Sequence, residues 1–309
     1  MKNYQLNYYP LFKCVAGECK HTCCAGWEML IDADSLCAYK NDDSAFREAL
    51  NKGINYKKSK FKSDGKGRCA FLNGDGLCDI IINLGENSLC QVCRDHPRFR
   101  SFFEDRTETG LGFCCEEATR IILSFKDKIQ PVLISDDGND EPVDFISKSI
   151  LEFREKALTV LQKRGENIND RIDELLRLSR AEITRKDFNK ILKKFLSFER
   201  LGTGFTKRLK KLKGKPFNST TSLELSLVAE QFLVNSVYRH FHGATDAISV
   251  RARAVSCVIC WWIINNLILN ECDDKNALYD IVRDFSAEVE YSQKNLDKLF
   301  SFTLKFIKI

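Results

Sequence analysis

"AVSCVICWWIINNLIL", residues Ala254 to Leu269, is apolar on every side, and two structures compete for such a run: a membrane span or the central helix of a bundle. A span needs about 20 consecutive apolar residues. This run is shorter and carries Asn265 and Asn266, so it reads as a buried core helix. The flanking sequence supplies helices to cover it. "FISKSILEFREKALTVLQKR" sets Ile146, Ile150, Phe153, Ala157, Val160 and Leu161 on one face, and "INDRIDELLRL" and "KDFNKILKKFLSFERL" repeat the three-and-four spacing. "TSLE", Thr221 to Glu224, fits a capping box at the head of a helix that stops at Gly243, and Asp246 is placed to cap the apolar run. "DDKNALYDIVRDFSAEVEYSQKNLDKLF" adds at least one more helix. The fold class expected is mainly α, with residues 145–309 forming an all-α helical bundle.

The first third reads differently. Residues 1–134 are rich in Gly, Cys and short apolar pieces, with turns at "SDGKGR" and "NGDG", and form a loop-rich cysteine-cluster domain. A helix begins near Glu116 and ends before Pro131, and the acidic "SDDGNDEPVD", Ser135 to Asp144, reads as the linker between the domains. With 309 residues, 44% of them hydrophobic, the chain can build two cores. The net charge of +5 is too mild for a dedicated nucleic-acid binder. No apolar stretch typical of a signal occurs in Met1 to Lys13, so a cytoplasmic location without membrane attachment is expected. The basic "TKRLKKLKGKP", Thr206 to Pro216, reads as a solvated helix end, with an acidic partner as the alternative.

Of the fourteen cysteines, eleven lie between Cys14 and Cys115. In a reducing compartment such a concentration points to metal ligands or catalytic thiols rather than disulfides. Three groups stand out: Cys14, Cys19, Cys23 and Cys24; Cys69, Cys78, Cys90 and Cys93; and Cys114 with Cys115. Only Cys90 and Cys93 have the C-x2-C spacing of a zinc knuckle, and irregular spacing across several loops favours an iron–sulfur cluster, with zinc as the alternative. The C-x3-C-x2-C motif of radical enzymes fails, because Gly26 stands where its third cysteine belongs. Cys37, Cys257, Cys260 and Cys272 read as core or surface thiols.

"YYPLFKCVAGECKHTCCAGWEMLID", "GRCAFLNGDGLCDIIINLGENSLCQVCRDHPR" and "EQFLVNSVYRHF" together resemble the bacterial flagellin lysine-N-methylase family, whose N-terminal part belongs with iron- or zinc-chelating cysteine-cluster proteins. The resemblance implies methyl transfer from S-adenosylmethionine to lysine amines of flagellin, with a [4Fe-4S] centre. The matching cysteines are Cys14, Cys19, Cys23, Cys24, Cys69, Cys78, Cys90, Cys93 and Cys115. The chain departs from the family in having His96 for Tyr, and Cys114, Cys115 and Glu116 for Ser-Cys-Pro.

Methylating a lysine requires a neutral amine, whose ammonium ordinarily titrates at about 10.4, aligned with the sulfonium methyl. Asp32 and Asp95 are the candidate bases by residue type, with His96 behind them. No glycine-rich nucleotide loop follows a strand, and "GTG", Gly202 to Gly204, ends a helical pattern. Trp27 is therefore a candidate to face the sulfonium by cation–π attraction, and Arg94 and Arg98 to pair with a carboxylate of the cofactor. A non-catalytic metal-binding module with a helical partner-binding domain is the competing reading.

Overall fold

A computed structural model describes residues 1–138, 142–202, 204–271 and 274–308. In chain order the elements are β1 (Lys2–Leu6), α1 (Ala33–Lys40), α2 (Arg47–Gly53), β2 (Ile54–Asn55), β3 (Lys60–Phe61), α3 (Asp79–Leu84), α4 (Gln91–Asp95), β4 (Arg98–Phe102), β5 (Arg106–Leu111), α5 (Glu116–Ser124) and β6 (Pro131–Asp136). Helices then follow one another: α6 (Phe145–Leu161), α7 (Ile168–Leu178), α8 (Phe188–Leu196), α9 (Phe205–Lys211), α10 (Leu223–His240), α11 (Ala247–Glu271), α12 (Lys275–Phe285) and α13 (Gln293–Leu304), with a π-helical turn at Ser286–Glu290. The chain is mainly α, as its periodicity predicts.

The apolar run is the centre of α11, which is buried on all sides from Ala254 to Leu267. By length and composition it is also the one helix able to cross a membrane among the described residues. Asp246 caps it, accepting from the Ile248 and Ser249 N–H groups at 2.8 and 2.7 Å. Its two asparagines have a structural job. Asn266 accepts from the Asn218 N–H at 2.8 Å, and Asn265 donates to the Asn218 carbonyl at 3.2 Å, so the irregular segment before α10 is fastened to the helix.

The chain divides into two compact units, and the division does not fall in the acidic stretch. The larger unit gathers Met1–Phe12, Phe99–Cys114 and Ala118–Ile309; the smaller holds Lys13–Arg98 with Cys115–Glu117. Hydrogen bonds show why the first twelve residues go with the helices. β1 pairs in parallel with β5 and antiparallel with β6, in a sheet of order β4-β5-β1-β6. Buried Tyr8 bonds Asn235 of α10 and accepts from the Leu111 N–H at 3.1 Å, while Asn235 donates to the Leu111 carbonyl at 3.1 Å. A bidentate pair at 2.6 Å, Arg154 to Glu108, ties α6 to β5.

Residues 145–309 hold the helices α6 to α13 and none of the named strands, as expected; the sheet that shares their unit comes from residues 2–136. Other sequence expectations are corrected here. The stretch read as a linker begins as strand, since Ser135 and Asp136 close β6; residues 139–141 within it lie outside the described residues. The α10 cap is one residue later than "TSLE" suggests: Ser222 accepts from the Leu225 N–H at 3.1 Å, and the Thr221 hydroxyl turns back to the Ser219 carbonyl. On α6 the buried face starts at Ile150, with Ile146 exposed. The basic segment at α9 meets acids of its own chain, Arg208 pairing with Glu271 and Asp284 at 3.2 Å each.

Candidate metal centre

The smaller unit is built from tight turns that each deliver a cysteine. Residues 24–26 run beside 67–69: the Cys69 N–H donates to the Cys24 carbonyl at 2.8 Å and the Gly26 N–H to the Gly67 carbonyl at 3.1 Å. Gly26 has a φ of +89°, so the position that lacks the third motif cysteine is one where a cysteine side chain would be strained. The "NGDG" turn is organised by Asn73, whose side-chain oxygen accepts from Asp75 and Leu77, and Cys78 follows as the residue before α3. That turn packs on the first cysteine loop, since a Cβ on Gly17 would stand 2.7 Å from the Asp75 carbonyl. Cys90 precedes α4, and its carbonyl accepts from the Cys93 and Arg94 N–H groups at 3.1 and 3.0 Å. A single helical turn thereby brings the two C-x2-C sulfurs together. Around these loops a small core of Met29, Ile31, Tyr39, Leu50, Phe61 and Phe71 supplies the packing.

The thiols feel one another. Cys23 donates to the Cys24 sulfur, which brings Cys24 down to about 7 and drives Cys23 up. In the same way Cys93 donates to Cys90, lowering Cys90 and raising Cys93. Burial pushes Cys69 up to about 11, reinforced by Cys24, Cys78 and Cys90. Cys24 also acts on Cys78 and Cys93, while Cys23 senses Cys14 and Cys115, and Cys14 acts on Cys19. These influences connect all nine family-matching cysteines, although they come from loops as far apart as Cys14 and Cys115. None of the described cysteines is in a disulfide. No group of three or more His, Cys, Asp or Glu side chains is arranged to hold a metal ion among the described residues. The donor set thus fits a thiolate-ligated centre in its chemistry, without three donors closed around one point among the described residues.

Other thiols stay apart from this set. Cys37 is exposed, and Cys257 and Cys260 are buried in α11, where burial pushes both upward. Cys114 belongs to the larger unit, beside Arg239 and Tyr291, and Cys272 lies outside the described residues. The structure adds a residue that spacing did not single out. Glu116 accepts from the Lys20 N–H at 3.1 Å and from the Cys19 thiol at 3.8 Å, anchoring the first cysteine loop to the segment after Cys115. An acid next to a cysteine at a helix start was the available signal.

Among the non-cysteine candidates, Asp32 and Arg94 line one open groove of about 400 Å³ with Asp34, Tyr39, Asp42 and Leu89. Tyr39 also stands near Cys90 and Cys93, so the groove wall reaches the thiols. Asp32 already has work: one oxygen caps α1 by accepting from the Ser35 N–H at 2.9 Å, and the other accepts from the Gln91 N–H at 2.7 Å. Burial pushes its carboxyl up, and these two N–H groups outweigh that, holding it below the ordinary range. Asp95 ends α4 and does not line the groove. Trp27 is 40% exposed, with its ring 6.2 Å from that of His96 and its N–H donated to the Cys23 carbonyl at 2.6 Å. Arg98 donates to the Arg94 carbonyl at 2.8 Å, a bond internal to the turn. Asp32→Asn keeps one of the two acceptors and turns an N–H toward the other donor. It should destabilise the smaller unit by about 1–2 kcal/mol in thermal melts. An unchanged melt would show that the staple to Gln91 is dispensable.

Comparison with known proteins finds relatives of part of the chain. The chain is 27% identical over 124 residues, 38% of its length, to the Lysine-N-methylase of Salmonella choleraesuis, and the match covers 31% of that protein. The same values relate it to the Lysine-N-methylase of Salmonella typhimurium. Similarity at 27% extends to the Flagellar biosynthetic protein FliU of Salmonella muenchen, of which 73% is covered. The matched stretch thus spans about a third of the two lysine-N-methylases. No family model and no solved structure matches the chain. These relatives bear out the resemblance to the flagellin lysine-N-methylase family.

Proposed function

We propose that this chain is a protein-lysine N-methyltransferase acting on flagellin in the cytoplasm, with S-adenosylmethionine as methyl donor and a cysteine-ligated [4Fe-4S] centre in its smaller unit. The observation that carries the reading is the gathering of nine cysteines, from sequence blocks that resemble the family, into one unit whose thiols perturb one another. The names of the similar proteins support lysine methylation and a flagellar target.

The cluster would draw its ligands from Cys23, Cys24, Cys69, Cys78, Cys90 and Cys93, three of them where one iron is left open to the donor, with Cys14, Cys19 and Cys115 beside them. When bound, such a cluster supplies an iron site able to chelate the amino and carboxylate groups of the donor. The chain's own part is to receive the lysine, remove its proton and keep water out. The nitrogen then forms a bond to the methyl carbon, the sulfur–carbon bond breaks with its electron pair left on sulfur, and S-adenosylhomocysteine leaves. In the groove beside Cys90, the Asp32 carboxylate is spent on two backbone donors. Its part there is to hold the wall of the groove in place, while Asp34 and Asp42 offer carboxylates to an entering ammonium.

Co-expression with a flagellin, followed by intact-mass measurement, tests the assignment. Mass should rise in steps of one methyl group, with S-adenosylhomocysteine as the sole product of the donor. Formation of 5′-deoxyadenosine would replace displacement with a radical path, and a flagellin of unchanged mass would overturn the enzyme.

A further inference from the structure

The strand β6 ends the four-stranded sheet, and its outer edge is paired with no other strand among the described residues. Its sequence, PVLISD, is unusual for such an edge. Val132, Leu133 and Ile134 are 44%, 49% and 53% exposed, so three consecutive apolar side chains face solvent on both sides of the strand. Open edges are ordinarily blunted by a charge inside the strand, because free N–H and C=O groups recruit another chain. Here the charges sit only at the two ends: Lys126, Asp127 and Lys128, net positive, precede the strand, and Asp136 and Asp137 close it.

That distribution reads the same way when the strand is turned around. We infer that the outer edge of β6 is a docking surface for a second copy of this chain, with β6 adding to β6 in antiparallel register about a two-fold axis. Centred on Leu133, such a pairing sets Val132 against Ile134 of the other copy and Leu133 against its own counterpart. It turns the net-positive segment before each strand toward the acidic end of the other copy's, an attractive arrangement of charge. A parallel pairing would instead put like charges side by side at both ends. The edge carries its own complement, which is the arrangement a symmetric dimer requires.

The contact is short. Pro131 cannot donate, and Ile134 is the extra residue of a bulge between the partners of Asn3 and Tyr4. One strand pair buries less than the ~1,200 Å² of a stable interface, so dimerisation is expected only at concentrations of about 10–100 μM.

Sedimentation velocity on the full chain, from about 1 to about 200 μM, reads this directly. The expected result is a shift from monomer to dimer for the natural protein and monomer throughout for Leu133→Lys, with the same thermal melt for both. Lys128→Glu alone and Asp136→Lys alone should each weaken the dimer, since each removes attraction across the axis, and the two together should associate better than Lys128→Glu alone. A natural chain that stays monomeric at the highest concentration overturns the inference, as does a dimer indifferent to Leu133→Lys. Failure of the double charge exchange to improve on Lys128→Glu would exclude antiparallel self-pairing even if a dimer forms.

Discussion

Cys24→Ala is expected to remove most of the metal from this protein while leaving its helical unit folded. Cys24 is the thiol that the largest number of other cysteines sense: it interacts with Cys23, Cys69, Cys78 and Cys93, which come from three separate loops. Its sulfur accepts from Cys23, which brings it below the ordinary thiol range and favours the thiolate, as Cys93 does for Cys90. The loops that carry these residues have little packing of their own, and a centre bound across them would supply folding free energy directly. The anaerobically purified natural protein should be brown, with absorbance near ~400 nm and iron in the elemental analysis. The variant should lose both, along with flagellin methylation, and Cys90→Ala and Cys93→Ala should behave alike. Far-UV circular dichroism is dominated by the long helices of the larger unit and should change little. Cys37→Ala, at an exposed thiol outside the set, is the control and should keep metal and colour. Full iron content in Cys24→Ala would remove that residue from the centre. Zinc in place of iron in the natural protein would replace the cluster with a structural zinc site.

What sequence could and could not reveal follows from how far apart the deciding interactions lie along the chain. The long helices were legible because their signal is local: α11 is apolar on every side and α7 and α8 carry clean one-sided stripes. The strands were not. β1 is mixed polar and aromatic, and it becomes a strand only by pairing with residues more than a hundred positions away in β5 and β6. β6 resembles the start of an acidic loop because both of its faces are exposed, so the alternation that marks a half-buried strand is missing. The unit boundary was hidden for the same reason, as Tyr8 and Asn235 are joined by a hydrogen bond across most of the chain. At the cysteines, residue type and clustering identified the donors, while their mutual arrangement depends on turns such as Asn73–Leu77 whose packing partners no spacing rule names. Asp32 looked like a base because it is an acid near cysteines. Its use as a cap and staple is visible only once Gln91, fifty-nine positions on, is placed beside it.

The second large effect is expected far from any cysteine of the centre, at Glu290. Its side chain is 2% exposed and is surrounded by donors: His240 Nε2 at 2.8 Å, the Ser286 hydroxyl, and the Arg239 guanidinium at 3.5 Å. Burial alone would push the carboxyl up, but Arg239 and the His240 hydrogen bond outweigh it and hold Glu290 at about 2. Burial also lowers His240, keeping it neutral and able to donate. For Glu290 the folded value lies below the unfolded one, so its stabilisation is complete above the ordinary carboxylate range. It is lost as pH falls from about 4.5 toward about 2. His240 adds a loss of the same sign that begins higher, because below about 6.5 the unfolded chain takes up a proton that the folded chain refuses. The larger unit should therefore lose stability steadily on acidification. Glu290→Gln preserves the size of the side chain and an acceptor for His240, yet leaves the Arg239 charge buried without its counterion. Breaking a buried pair in this way costs about 3–5 kcal/mol, which lowers the melting temperature of a unit of this size by roughly 10 °C. The variant should also lose the part of the acid sensitivity that falls below pH 4.5, since the group that titrates there is gone. A variant that melts with the natural protein, or that keeps its full acid transition, would show that Arg239 finds another counterion and that Glu290 is not what holds α10 to the π-helical turn.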